Sequence, residues 1–149
     1  MYRVCFICYG SPYRAVLAEF VMNALLAGTG RKGCIGTASA VIERTDGVFL
    51  ASAHNGQRWV PGIIQPDIPV QEIVYDEYAY LIVFDQESYE ALRRLCGSSG
   101  AHKVHRLLEF AGLQRDVADP WYTGNFDQTY ADVDLGCQAL LQYIVQRDG

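Results

Sequence analysis

A cysteine and an arginine near the amino terminus have the spacing of a covalent phosphoryl-transfer site. Five residues separate Cys8 from Arg14, in the stretch CYGSPYR. A β-branched and aromatic run before the cysteine predicts a buried strand over 3–7. An apolar run without Gly or Pro predicts a helix over 13–27. We therefore expect Cys8 to attack phosphorus at the end of a strand, while Arg14 grips two phosphate oxygens at the start of a helix.

The loop between these two residues is predicted to bind the phosphate through its backbone. N–H groups of a tight loop at the positive end of a helix bind anions, and they also lower the pKa of a nearby thiol. The alternative is that Cys8 is a buried structural cysteine, which is a common fate of free cysteines. We assign the loop and the residue after the arginine to substrate binding: Tyr9, Gly10, Ser11, Pro12, Tyr13 and Ala15.

A second candidate motif lies far downstream, at residues 119–122. Asp119 precedes a proline, which keeps it extended, and it would protonate the leaving group and then activate water. Trp121 and Tyr122 would form walls against which a flat aryl phosphate packs. The alternatives are that the Asp-Pro pair is an ordinary turn and that the two aromatic residues fill the core.

Together, the two motifs resemble those of the low-molecular-weight protein tyrosine phosphatases. Residues 4–19 are similar to that family's strand, C-x-G-N-x-C-R-S-P loop and helix carrying Ala-Glu, here Ala18-Glu19. The family's D-P-[YW]-Y element matches residues 119–122, and the similarity spans essentially the whole chain, being weakest over 39–73. The resemblance implies hydrolysis of phosphotyrosine-containing proteins through a cysteinyl phosphate, without metal or cofactor. Phosphate and other oxyanions would bind in the same loop.

Four positions of the loop depart from the family pattern. Ser11 replaces an asparagine, and Pro12 removes one backbone N–H. Tyr13 replaces what is often a second cysteine, which in the family can trap an oxidised nucleophile as a disulfide. Ala15 replaces a residue whose hydroxyl donates to the thiolate, and losing such a bond costs about 1.5–3 kcal/mol. We therefore expect a slow or specialised phosphatase.

Strands alternating with helices predict an α/β fold, a three-layer α/β/α sandwich around a four-stranded parallel sheet. The resemblance implies that this fold is phosphotyrosine protein phosphatase I-like. The strongest strand signal, 80–84, ends at Asp85, which we expect to be structural or to line the site. Further strands are predicted over 33–39 and 103–107, helices over 48–57, 88–96 and 127–146, a loop over 63–69 and an ambiguous segment over 70–78.

The composition indicates one globular domain over 1–149. Half of the residues are hydrophobic, 19% are charged, and the net charge of −5 argues against a nucleic-acid partner. No apolar run approaches the length of a membrane span, so no membrane partner is expected. Met1-Tyr2-Arg3 leads straight into a strand, unlike a signal peptide, and five scattered cysteines suit a reducing compartment. We expect a soluble cytoplasmic protein.

Two other functions remain open from the sequence. An arsenate reductase would need a further cysteine pair near the end of the third strand, where only Cys96 lies. A catalytically degenerate module would bind phosphotyrosine or a partner without turnover, and the altered loop favours it. His102 and His105, with Cys96, lack the fourth ligand of a zinc site and the orienting group of a Cys–His nucleophile pair, so no metal site is predicted. The remaining cysteines are expected in the core: Cys5, Cys34 and Cys137.

Overall fold

A computed structural model describes residues 2–9, 12–42, 48–50 and 75–148. Its strands are β1 (Tyr2–Tyr9), β2 (Ile35–Ile42), β3 (Val48–Leu50), β4 (Tyr80–Val83) and β5 (Val104–Arg106). Its helices are α1 (Tyr13–Gly28), α2 (Gln86–Gly100), α3 (Pro120–Thr123) and α4 (Phe126–Asp148). Three 3-10 turns lie at Tyr75–Glu77, Ala101–Lys103 and Leu107–Ala111.

The strand that carries the cysteine lies in the middle of the sheet. The strand order is β3-β2-β1-β4-β5, and β1 pairs in parallel with both β2 and β4, as β4 does with β5. The prediction of four parallel strands between layers of helices is therefore confirmed. The carboxyl ends of these strands share one edge, where ligands bind in folds of this class.

A fifth strand, which the sequence did not predict, lies at the edge of the sheet. β3 runs antiparallel to β2, with Val48 opposite Ile42. The predicted helix over 48–57 is therefore wrong at its start, because the apolar residues there find a strand partner that local sequence cannot reveal. Residues 51–57 and the predicted loop over 63–69 lie outside the described residues. Of the ambiguous segment 70–78, the described part contains the 3-10 turn Tyr75–Glu77.

Both faces of β1 are covered, which makes the molecule three-layered. Val4, Phe6 and Cys8 belong to one core cluster with residues of α1 and α4, whereas Cys5 and Ile7 belong to a second cluster with residues of α2. All five side chains are buried. Alternation of side chains along the strand therefore directs Cys8 toward the layer that contains α1.

The remaining helices follow the predicted pattern with small shifts. α2 begins at Gln86 rather than 88, and Gly97 interrupts it with a φ of +68°. α4 buries Val133, Cys137 and Leu140, whereas Tyr130 is half exposed. Cys34 is exposed, so its predicted place in the core is wrong. None of the helices within the described segments is long and apolar enough to cross a bilayer.

Candidate active site

Cys8 lies near the carboxyl end of β1, at the edge where the parallel strands finish. It is fully buried, and its register partner on β2 is Val41. The backbone N–H of Ala15, in the first turn of α1, forms a hydrogen bond with the Cys8 thiol. The strand and the helix thus bring Cys8 against the start of α1, as the sequence predicts.

Arg14 is buried and held by two different parts of the chain. Its Nη2 lies 2.9 Å from Asp85 Oδ2, just beyond β4. Its Nη1 donates to the carbonyl of Val117 at 2.7 Å, and its guanidinium lies 5.8 Å from the centroid of the Phe84 ring. A guanidinium has five N–H donors, so an oxyanion can still be bound by those that these two contacts leave available. The contacts fix its plane beside Cys8.

Asp85 connects two structural features at the end of the central strand. Its Oδ1 accepts a hydrogen bond from the backbone N–H of Ser88 at 2.8 Å and so caps α2. Its Oδ2 forms the ion pair with Arg14. Asp85 therefore has a structural role and also lies beside Arg14, as expected. By capping α2, it fixes the carboxylate that in turn orients the arginine.

Burial dominates the electrostatics of Cys8 and raises the pKa of its thiol to about 11. The Ala15 N–H and the charge of Arg14 oppose this rise, whereas the negative charges of Asp85 and Asp119 add to it. The negative charge of Asp85, the ion-pair partner of Arg14, offsets part of the stabilisation that the arginine gives to a thiolate. The direction is opposite to the lowered pKa that the sequence predicts.

Asp119 lies at the amino end of the short helix α3, as its position before a proline predicts. Its Oδ1 accepts a hydrogen bond from the backbone N–H of Trp121 at 3.0 Å, and Pro120 occupies the first helical position. Its carboxylate is close enough to Cys8 to affect the pKa of the thiol. With Oδ1 held by the backbone, Oδ2 can carry a transferable proton.

Three aromatic rings form a cluster beside the site, which we call the aromatic cluster: Tyr13, Trp121 and Phe126. Their ring centroids lie 5.5–6.3 Å apart, with edge-to-face geometry in every pair. Trp121 is 64% exposed and Tyr122 is 89% exposed, so neither fills the core. This exposure excludes the alternative of a core plug and leaves their faces accessible to a ligand.

The other residues that were predicted to bind substrate lie partly or fully inside the protein where the structure describes them. Tyr9, Pro12 and Tyr13 are partly buried, and Pro12 caps α1 while its carbonyl accepts from Val16 N–H at 2.9 Å. Ala15 is fully buried. Gly10 and Ser11, which were predicted to contribute backbone N–H groups, lie outside the described residues.

The structure adds three residues to the site that the sequence did not indicate. Val117 contributes a backbone carbonyl to Arg14, and Thr129 donates its hydroxyl to the carbonyl of Ala118. Neither contact depends on a recognisable motif. Phe126 packs on Tyr13 and Trp121, and an aromatic residue just after the Gly124-Asn125 turn was a signal that could have indicated it.

The histidines lie elsewhere. His105 packs between the rings of Tyr80 and Phe110, with its Nδ1 3.4 Å from Glu109, and His102 is exposed. Within the segments that the structure describes, His, Cys, Asp and Glu side chains form no group of three suited to a metal ion.

Comparisons with known proteins agree on one family. A family model described as low molecular weight phosphotyrosine protein phosphatase matches residues 3–148. The low molecular weight protein-tyrosine-phosphatase YfkJ of Bacillus subtilis is 30% identical, with 97% of this chain and 96% of the relative covered. PtpA of Staphylococcus epidermidis, of the same description, is 28% identical over 98% of this chain and 96% of its own length. The crystal structure of YfkJ superposes with a TM-score of 0.77 over 100% of this chain and 98% of that chain, at 28% identity.

Proposed function

Because the chain belongs to the low molecular weight phosphotyrosine protein phosphatase family and is thus a protein-tyrosine phosphatase, a hydrolase, we propose that Cys8, Arg14 and Asp119 carry its reaction. One observation carries this assignment. Arg14 bonds to the carbonyl of Val117, two residues before Asp119, so the cysteine–arginine loop and the aspartate loop are joined at the buried end of β1. Our proposed substrates are phosphotyrosine-containing proteins.

In the first step, the Cys8 thiol gives its proton to solvent, and the resulting thiolate attacks phosphorus in line with the departing oxygen. A sulfur–phosphorus bond forms as the phosphorus–oxygen bond to the aryl group breaks, and Asp119 gives its proton to the leaving phenolate. Arg14 and the backbone N–H groups of the loop bind the phosphoryl oxygens as their charge shifts. The products of this step are tyrosine and a cysteinyl phosphate.

In the second step, water attacks the phosphorus of the cysteinyl phosphate. The Asp119 carboxylate takes a proton from the water as the sulfur–phosphorus bond breaks. Inorganic phosphate leaves, Cys8 is returned as the thiolate, and Asp119 is again protonated for the next cycle. Inorganic phosphate and other oxyanions would therefore bind in the same place as the substrate phosphate and inhibit competitively.

The raised pKa of Cys8 supports a slow enzyme. The thiolate is the nucleophile, so the energy of forming it is part of the barrier. With a pKa of about 11, forming the thiolate at pH 7 costs about 5 kcal/mol, since each pH unit corresponds to about 1.4 kcal/mol. Ala15 offers its backbone N–H but no hydroxyl to the sulfur, which is consistent with this barrier.

The aromatic residues support selectivity for aryl phosphates. Trp121 and Tyr122 expose their rings two and three residues after Asp119, and Trp121 is supported edge-on by Tyr13 and Phe126. A flat phenol ring can pack against such a wall. The buried position of Cys8 favours phosphotyrosine, because the longer tyrosine side chain reaches a deep nucleophile that phosphoserine does not reach.

Release of phosphate from a phosphotyrosine peptide tests the proposal. The purified protein should release inorganic phosphate from that peptide and much less from its phosphoserine counterpart. Cys8→Ser should abolish release, with Cys5→Ser as the matched control, because Cys5 faces the opposite layer. Tight binding of the peptide with release no faster than that of Cys8→Ser would support the degenerate module instead.

A further inference from the structure

The backbone just before Asp119 is held by a buried threonine of α4. Thr129 is fully buried, and its Oγ1 donates to the carbonyl of Ala118 at 2.9 Å. The same oxygen lies 3.4 Å from the carbonyl of Asn125, the acceptor four residues earlier that threonines in helices commonly use. Because a hydroxyl has one proton, the shorter distance favours the carbonyl of Ala118 over that of Asn125 as its acceptor.

This hydrogen bond acts on the peptide unit that ends at the Asp119 nitrogen. The Ala118 carbonyl and the Asp119 nitrogen share one planar group, so fixing the oxygen fixes the plane on which Asp119 Cα lies. The preceding residue, Val117, is already held on both sides: its N–H donates to Phe84 O at 2.8 Å, and its carbonyl accepts from Arg14 at 2.7 Å. Thr129 therefore supplies the contact nearest to Asp119 in this series.

The carboxyl group of Asp119 has little freedom once its backbone is fixed. Its Oδ1 accepts from Trp121 N–H at 3.0 Å. The direction of Oδ2 is then set by the position of Cα and by this one bond. A small rotation of the 118–119 peptide would move Oδ2 relative to the leaving oxygen, and proton transfer requires hydrogen-bond distance between the two.

A second contact between α4 and the same segment lies further from Asp119. Arg115 forms a two-pronged ion pair with Asp132, at 2.8 and 2.9 Å, and Gln128 donates to the same carboxylate at 3.0 Å. This pair holds the segment to the helix as a whole. Thr129 differs because its acceptor is bonded directly to the residue that would transfer the proton.

We propose that Thr129 is a positioning residue for proton transfer: its hydroxyl holds the Ala118–Asp119 peptide so that Asp119 Oδ2 reaches the leaving phenolate oxygen. The inference rests on the proposed role of Asp119 as proton donor. A threonine that only stabilised the fold would affect all substrates alike. A threonine that positions the acid affects the substrates whose leaving group needs a proton.

The test compares kcat/KM, which reports the steps through cysteine phosphorylation, for phenyl phosphate and 4-nitrophenyl phosphate. Thr129→Val keeps the shape and removes the hydroxyl. We expect it to lower kcat/KM about threefold to tenfold for phenyl phosphate, the value of one neutral hydrogen bond, and by less than about twofold for 4-nitrophenyl phosphate, whose leaving group needs little protonation. Thr129→Ser should restore the phenyl phosphate value.

Thr37→Val is the matched control, because Thr37 donates its hydroxyl to Asn23 at 2.9 Å between α1 and β2, away from Asp119. It should leave the ratio of the two kcat/KM values unchanged. Thr129→Ala serves in place of Thr129→Val if the valine variant does not fold, and a thermal melt of each variant shows that folded protein is compared.

Equal losses on both substrates, or no loss on either, would overturn the role of Thr129 while leaving that of Asp119 intact. Asp119→Ala, measured in parallel, separates the two claims. If Asp119→Ala itself shows no preference for the good leaving group, the assignment of Asp119 as proton donor fails, and the inference about Thr129 fails with it.

Discussion

The two halves of the site are held in different ways. Arg14 is buried, and its polar contacts with the described part of the chain lie inside the protein, with a carboxylate on one side and a carbonyl on the other. Trp121 and Tyr122 extend into solvent from α3, a helix of four residues. The difference indicates that Arg14, the proposed phosphate ligand, is fixed before substrate arrives, whereas Trp121, a proposed contact for the rest of the substrate, is supported mainly by ring contacts. Reaction rate should therefore depend on the first half, and recognition of the aryl group on the second.

The largest effect is expected at the buried half. Arg14→Lys keeps the charge but cannot contact Asp85, Val117 and a phosphate with one planar group. We expect kcat/KM for phenyl phosphate to fall at least about a hundredfold, since hydrogen bonds to charged groups contribute about 1.5–3 kcal/mol each and lysine cannot form the whole set. Arg3→Lys is the control, because the Arg3–Glu77 pair is far more exposed. A loss below about fivefold would mean that the fixed arrangement of Arg14 does not matter.

The next effect is the response of Cys8 to pH. A thiol with a raised pKa is mostly protonated below that pKa, so its reactive fraction grows as pH rises. We expect iodoacetamide alkylation of the Cys8 peptide, followed by mass spectrometry, to increase about tenfold per pH unit from pH 7 without levelling before about pH 9. The exposed Cys34 is followed in the same digest as a reference for the reagent.

Asp85→Asn removes one of the charges that raise the pKa of Cys8. The variant should therefore be alkylated faster than the wild type at the same neutral pH, and phosphate should protect both. If the alkylation rate of the wild type instead levels at a pH well below the ordinary thiol pKa, Cys8 has the lowered pKa that the sequence predicts. The raised pKa that its burial implies would then be wrong.

A smaller gain is expected when a hydroxyl is restored next to the sulfur. Ala15→Ser adds a donor to the first turn of α1, where the backbone N–H already contacts Cys8. We expect turnover to rise by up to about tenfold and the burst of product to shrink, because the cysteinyl phosphate would break down faster. Ala18→Ser, equally buried on the same helix, is the matched control. Unchanged turnover, burst and thiol pKa in Ala15→Ser would show that the hydroxyl points away from the sulfur.

The smallest effect concerns the exposed half. Trp121→Ala should weaken inhibition by phenylphosphonate about fivefold, since an aromatic pair contributes about 1 kcal/mol, and leave inhibition by inorganic phosphate unchanged. Tyr122→Ala removes a still more exposed ring and should have a smaller effect. Equal weakening of both inhibitors in Trp121→Ala would mean that the wall shapes the phosphate site itself, and the division into two halves would fail.

The sequence predicted the features that depend on neighbouring residues. The strand, the cysteine and the arginine follow one another along the chain, so their pattern could be recognised locally, and the structure brings Cys8 and Arg14 together at the predicted edge. The Asp-Pro motif likewise predicted how Asp119 begins α3. Pattern and spacing therefore sufficed for the parallel sheet, whereas the choice of the three residues proposed to react also depended on the family resemblance.

The features that the sequence did not predict depend on contacts between distant parts of the chain. Arg14 bonds to the backbone carbonyl of Val117, a group that every residue has, so the sequence gives no sign of this contact. Thr129 meets Ala118 only because α4 packs against that segment. β3 was predicted as helix because its pairing with β2 is a tertiary contact. The pKa of Cys8 was predicted in the wrong direction because sequence shows the helix and the arginine but not the burial, nor the carboxylate of Asp85 that offsets part of the arginine's effect.

The proposed reaction passes through phosphate bound covalently to Cys8. The most direct test is a rapid-quench experiment in which excess phosphotyrosine peptide, labelled on its phosphate, is mixed with the enzyme and the quenched protein is digested. We expect a burst of dephosphorylated peptide that approaches one per enzyme molecule, with the label on the peptide containing Cys8, and neither burst nor label in Cys8→Ala. Phosphate release at the wild-type rate without label on Cys8, or from Cys8→Ala, would contradict it.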